Sequence, residues 1–132
     1  MGQAFHGAAR AVQTAMLARL SEDDALRRLF RAGAGPSPQR PSLSFDEMRS
    51  EARADESGLA EHRLEFSIWA EPHDADGAAE WSARLEAAFA EPLRLTEYAV
   101  IQLVFAPLRS AMDWRARSWR VRLEVRVLTQ TS

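Results

Sequence analysis

The sequence predicts an α+β fold, a mostly antiparallel four-stranded sheet with helices packed on one face. Two alternations predict the sheet. Leu64, Phe66, Ile68 and Ala70 alternate with Arg63, Glu65, Ser67 and Trp69, while Trp119, Val121, Leu123, Val125 and Val127 alternate with Arg120, Arg122, Glu124 and Arg126. A period of two marks a strand with one covered face. Apolar residues at helical spacing in other segments supply the cover. The resulting order is helix, helix, strand, strand, helix, strand, strand, which favours an antiparallel sheet with its helices on the apolar side.

The first helix is expected over residues 4–20, where Phe5, Ala9, Val12, Met16 and Leu20 share a face. Ser21 is the expected N-cap of a second short helix, with Glu22, Asp23 and Asp24 behind it and Leu26, Leu29 and Phe30 as its apolar side. AGAGPSPQRP, residues 32–41, stops that helix and is expected to be a flexible loop. Ser42 to Met48 is a candidate strand with Leu43 and Phe45 on one side, and polar residues 46–60 are expected to form a second flexible loop or a long hairpin connection, with a short helix within 49–60 as the alternative. The Leu64 strand ends near Trp69, on its other face. Pro72 and the Asp-Ala-Asp-Gly run turn the chain into a helix bearing Ala78, Trp81, Leu85, Ala88 and Phe89, begun by Asp74 or Asp76 and ended by Pro92. Tyr98 to Leu108 forms an apolar strand, residues 110–117 connect, and the Arg-bearing strand closes the chain.

Length and composition fit one domain over residues 1–132 with a modest core. Cysteine is absent, so disulfides, thiolate metal sites and Cys nucleophiles are excluded. No apolar run approaches the roughly 20 residues that span a bilayer, and the N-terminus lacks the order of a signal peptide. No membrane association is expected, and the cytoplasm is the default location. The formal net charge of -2 gives no global signature for nucleic acid. Charge is unevenly placed, however. Residues 1–45 and 98–132 are basic and residues 46–97 strongly acidic. Such regions suit head-to-tail packing between copies, or neutralise each other within one fold. All 17 basic residues are Arg, which makes planar, multidentate contacts that Lys cannot.

No arrangement points to catalysis, and no enzyme, cofactor or metal is expected. His6, His62 and His73 lack metal-ligand spacing. Asp74, Asp76 and Glu80 offer too few ligands for a calcium loop and read as helix capping. No GxSxG elbow supports a Ser-His-Asp set. GAGPSP lacks the GKS or GKT ending of a phosphate loop and follows a helix. Acids at Asp46, Glu47, Glu51, Asp55 and Glu56 lie in a polar stretch with nothing to raise a pKa. Arg115, Arg117, Arg120, Arg122 and Arg126 make a linear basic stripe beside Trp114. Its readings are the solvated side of a sheet, an intersubunit contact with the acidic middle segment, or the lining of a pore that passes DNA without specific recognition.

Several segments in order carry a resemblance: AMLARLSEDDALRRLF before a Gly/Pro loop, then EHRLEFSIWAEPHDADGAAEWSARLEAAF, then YAVIQLVF, then SWRVRLEVRVL. Over nearly its full length the chain resembles the phage tail-completion or tail terminator family, whose members also occur in prophages and gene transfer agents. PSLSFDEM replaces the PYVVL-like strand of common members. The resemblance implies a structural subunit forming a hexameric ring that terminates the tail tube and meets the head connector or stopper. It implies as partners other copies of the chain, the major tail tube protein and the connector, with DNA passing through the lumen. It implies assembly in the bacterial cytoplasm and a final place at the head–tail junction of a phage or gene transfer agent particle. Asp46, Glu47, Arg49, Glu51, Arg53, Asp55 and Glu56 would form the partner loop, and the arginines from Arg115 to Arg126, with Trp114, would lie near a subunit boundary or the lumen. Another head–tail connector or tail accessory subunit is the nearest alternative, and a small DNA-binding or ligand-binding domain the alternative of another class.

Overall fold

A computed structural model describes the backbone of residues 2–31, 35–53 and 58–131, with side chains from residue 7 onward. The elements are α1 (Gly2–Glu22), α2 (Asp24–Leu29), β1 (Phe30–Arg31), β2 (Ser42–Ala52), β3 (Leu59–Ala70), α3 (Ala75–Ala88), β4 (Tyr98–Asp113) and β5 (Ser118–Thr131). The sheet is open and five-stranded, in the order β1-β2-β3-β5-β4. β1 pairs parallel with β2, and every other neighbouring pair is antiparallel. The sheet is therefore mixed and has one strand more than expected. The added strand is Phe30–Arg31, which continues directly from α2 and pairs with Leu43 and Ser44. A two-residue strand leaves no alternation to read.

The three helices cover one face. Leu64, Phe66 and Ile68 of β3 stand beside Val125, Leu123 and Val121 of β5 in register, and all point under the helices. Ala8, Val12, Met16 and Leu20 of α1 seal them, with Leu26 and Leu29 from α2 and Ala78, Leu85 and Phe89 around α3. Ala8, one position before the expected Ala9, belongs to the buried face, as the spacing of four through Val12, Met16 and Leu20 requires. Phe66 stacks on Phe45 and meets Phe89, which joins β2, β3 and the end of α3.

Asp23, rather than Ser21, caps α2. Its Oδ1 accepts from the backbone N–H groups of Ala25 and Leu26 at 3.0 and 3.1 Å. Ser21 still lies within α1 and donates to the Ala18 carbonyl. Arg84 of α3 donates to both Asp23 carboxylate oxygens. That bond, then the Leu26 N–H, holds the Asp23 carboxyl below its ordinary range. Asp74 caps α3, accepting from Gly77 N–H at 3.0 Å.

The expected loop at residues 46–60 is largely strand. β2 continues past Met48 to Ala52, pairing Arg49, Ser50, Glu51 and Ala52 with Arg63, His62, Glu61 and Ala60. Weak β propensity is overridden because β3 offers a fully formed partner edge. Gly58, at φ +83°, immediately precedes β3, and its carbonyl accepts from Thr131 N–H. Asp55 and Glu56 lie outside the described residues. β4 is also longer than expected, running five residues past Leu108 to Asp113.

The C-terminal end of α3 is closed by another helix. Arg19 of α1 donates to the carbonyls of Ala88 and Glu91 at 2.9 Å and of Pro92 at 3.2 Å. Carbonyls at a helix end have no intrahelical partner, so one guanidinium does the work of a C-cap. Arg19→Ala is expected to lower unfolding free energy by about 1–3 kcal/mol, the scale of hydrogen bonds to a charged group. Urea denaturation followed by circular dichroism measures this.

Candidate functional site: the helix-free face and its hairpin tip

The face opposite the helices carries the odd-numbered residues of β3 and the even-numbered residues of β5. It is charged, and most of its charges are paired within the chain. A β-bulge between Phe45 and Glu47 turns Asp46 onto this face. Asp46 accepts from Ser44 Oγ at 2.6 Å and from Ser67 Oγ. Arg120 donates to Ser67 Oγ at 3.0 Å and reaches Asp46 at 3.5 Å, while its guanidinium lies 4.5 Å from the Trp69 ring centroid. Trp69 is thereby buried on the helix-free side, with Nε1 donating to Ser44 Oγ.

Arg122 donates to Glu65 through Nε at 2.8 Å and also through Nη2. Arg126 Nε lies 3.2 Å from Glu124 Oε1, at an angle that makes an ion pair rather than a hydrogen bond. Glu61 takes Arg63 and Arg53, at 2.8 and 3.4 Å, and Glu47 takes Arg49 at 3.2 Å. The Arg63 bond is the main reason the Glu61 carboxyl lies below its ordinary range. Asp46 and Glu65 of the acidic middle segment thus balance two arginines of the basic C-terminal segment across one sheet, and Arg126 is paired within its own strand. The five-arginine stripe is not a continuous free basic surface.

The structure divides that stripe in two. Arg120, Arg122 and Arg126 belong to the ion-paired sheet. Arg115 and Arg117 stand on the β4–β5 turn, and Arg109 stands within β4, in register with Arg122. These last three are exposed and make no ion pair among the described residues. Trp114 stands on the same turn, is 72% exposed and has its ring edge-on to His73 at 5.8 Å. A groove of about 390 Å³ runs between Arg109, Met112, Trp114, Arg115, Arg120 and Arg122. Asp113 also lines it, with Oδ1 accepting from Ala116 N–H to hold the turn. Arg40 ties the preceding loop to the same end by bonding Ser118 Oγ and the Ala116 carbonyl.

Sequence reading missed Arg109, because the strand was expected to stop at Leu108. It also missed the apolar edge of β4. Ile101 and Leu108 are 52% and 46% exposed, and both fall where the β4–β5 register shifts. The signal was present as Val100-Ile101 and Pro107-Leu108, adjacent apolar pairs that interrupt the alternation.

The histidines separate. His73 lies at the hairpin end, and His62 is buried near the other end of β3, between Ser50 Oγ at 2.7 Å and Thr129 Oγ1 at 2.9 Å. The His6 side chain lies outside the described residues. Among the described residues no group of three or more His, Asp or Glu is arranged to hold a metal ion, and no helix is long and apolar enough to cross a membrane.

The sequence matches the family described as Tail completion protein gp17 over residues 14–130. The chain belongs to this family. Among curated proteins no sequence matches it. The gp17-family fold extends to solved structures. One is a chain from the virion of a native gene transfer agent particle, at a TM-score of 0.74 and 22% identity, covering 92% of this chain and 96% of that one. Another is the bacteriophage SPP1 gp17 protein, at a TM-score of 0.57 and 19% identity, covering 91% and 89%. At these identities the likeness carries the fold.

Two predictions follow from the charge placement. Arg120→Ala should cost about 1–3 kcal/mol, because it strips Asp46 and Trp69 of a shared partner, while Arg115→Ala stays within about 0.5 kcal/mol. Urea midpoints of the two variants decide this. For His62, burial pushes the pKa below the usual 6.5, against a smaller opposing pull from Glu61. The unfolded chain therefore takes up the proton first as pH falls. The stabilisation is complete above the unfolded pKa and declines as pH falls toward the lowered folded value. Between pH 7.5 and 5.5, His62→Gln should lose less stability than the parent.

Proposed function

We propose that this chain is a non-enzymatic structural subunit that ends the tail tube of a phage-like particle and joins it to the head connector. Its membership of the gp17 tail completion family over residues 14–130 carries this reading. In the proposed particle, copies assemble in the bacterial cytoplasm into a closed ring, a hexamer, seated at the head–tail junction. Ring closure blocks further addition of tube subunits, and several weak contacts at once hold the ring on the tube by avidity.

The surface supports such a part. β4 is an edge strand of 16 residues with exposed Ile101 and Leu108, surface that association would cover. The opposite edge differs, because β1 covers only Leu43 and Ser44 of β2. Unlike surfaces on one subunit permit head-to-tail contacts, which close into rings when the rotation allows. We assign the β2–β3 hairpin, with exposed Glu47, Arg49, Glu51 and Arg53, to the tube protein. We assign the helix-free sheet face to the lumen, where the internal ion pairs of Arg120, Arg122 and Arg126 leave a surface of mixed sign. DNA passes such a lining without being held.

Solution mass of the purified chain, alone and with the major tail tube protein of the same source, tests this. The expected result is a closed oligomer, free or formed only on tube ends, with imaging placing it at one end of the tube. A chain that stays monomeric and does not bind the tube overturns the reading. A ring that binds only the connector moves the subunit to the connector side.

A further inference from the structure

We propose that the β4–β5 hairpin tip is a binding site for a nucleic-acid strand, with phosphates on Arg109, Arg115 and Arg117 and an unstacked base on Trp114. The inference goes beyond tube termination and does not require a ring.

The fold pairs some of its arginines and leaves others over. On the sheet, Arg120, Arg122 and Arg126 each have a carboxylate within the same chain. At the tip, Arg109, Arg115 and Arg117 have none among the described residues, and all three are exposed. A guanidinium is a planar fork of donors suited to phosphate oxygens. Trp114 has nothing to explain its place in the monomer. It is 72% exposed and touches His73 only edge-on, so its ring is not buried in the core. Trp114 shares its groove with Arg109 and Arg115, and a flat aromatic surface flanked by arginines suits stacking a base while holding its phosphates.

The groove beside it, about 390 Å³, is walled by Arg109, Arg115, Arg120 and Arg122 and has one carboxylate, Asp113. Asp113 is already engaged by the Ala116 N–H. An acidic protein segment is the competing occupant. A protein interface, however, needs an apolar core around its aromatic anchor, and beside Trp114 the groove offers only the half-buried Ala111 and Met112 among four arginines. With three free arginines and a net charge of -2, affinity will be modest and strongly salt-dependent.

Fluorescence anisotropy of a labelled single-stranded oligonucleotide, titrated with the full chain at several salt concentrations, tests the site. Equal-length duplex DNA and polyglutamate serve as competitors. The expected result is binding that weakens with salt, with the single strand preferred over duplex and polyglutamate competing poorly. Trp114→Ala should weaken single-strand binding about tenfold and abolish the preference over duplex. Arg109→Ala with Arg115→Ala should flatten the log–log salt slope by about 1 to 2. Arg94→Ala, an exposed arginine beyond the opposite end of β4, should leave both unchanged. Absence of binding, equal sensitivity to Arg94→Ala, an inert Trp114→Ala, or polyglutamate competing as well as DNA overturns the proposal. Because Trp114 and Arg115 are exposed on a turn, these variants keep the fold, and thermal unfolding of each confirms that. The solution mass is read on the same samples, so failure here leaves the ring reading standing and failure of the ring leaves this result interpretable.

Discussion

The register between β3 and β5 is the constraint on which the rest depends. Phe66 stands opposite Leu123 and Glu65 opposite Glu124, so one pairing sets both faces of the sheet. Side chains alternate with a period of two, and a slip of one residue would exchange the faces. Arg120, Arg122 and Arg126 would then lie under α1 and α3, while Val121, Leu123 and Val125 would meet water. Burying unpaired guanidinium groups and exposing three aliphatic side chains are both costly, so the register is specified twice.

That register also decides which acids meet which arginines. β3 lies between β2 and β5, which brings Asp46 and Ser67 within reach of Arg120 and Glu65 within reach of Arg122. Exposed ion pairs contribute little individually. Here they share partners, and Arg120 also covers Trp69, so the network orders the helix-free face and removes most of its free charge. Arginines without a carboxylate among the described residues gather toward the end of the β4–β5 hairpin, at Arg109 in β4 and at Arg115 and Arg117 on the turn. A sheet of mixed sign and a tip of positive sign are distinct surfaces with distinct uses.

The two bulges in β4 act on the edge as the β3–β5 register acts on the centre. Each inserts a residue that β5 does not match, near Ile101 and near Leu108. An unmatched residue leaves the alternation and bends its strand. Both apolar side chains consequently point into solvent on the open edge, which is why the monomer carries apolar surface that its core does not need.

The local code alone established much of this protein. The Leu64–Ala70 and Trp119–Val127 alternations, the α3 stripe of Ala78, Leu85 and Phe89, and the capping by Asp74 all depend on neighbours in sequence, and all are present. The ordered run of elements was enough to recognise the family, since no single motif was required. Tertiary structure decided what local pattern does not encode. β2 continues through Arg49–Ala52 because β3 is there to pair with it, and Phe30–Arg31 becomes a strand only because Leu43 and Ser44 lie alongside. The stripe from Arg115 to Arg126 is uniform in sequence. It divides into paired and free arginines because the distances from Arg120 to Asp46 and from Arg122 to Glu65 span more than fifty residues of chain, and only the folded sheet makes them short.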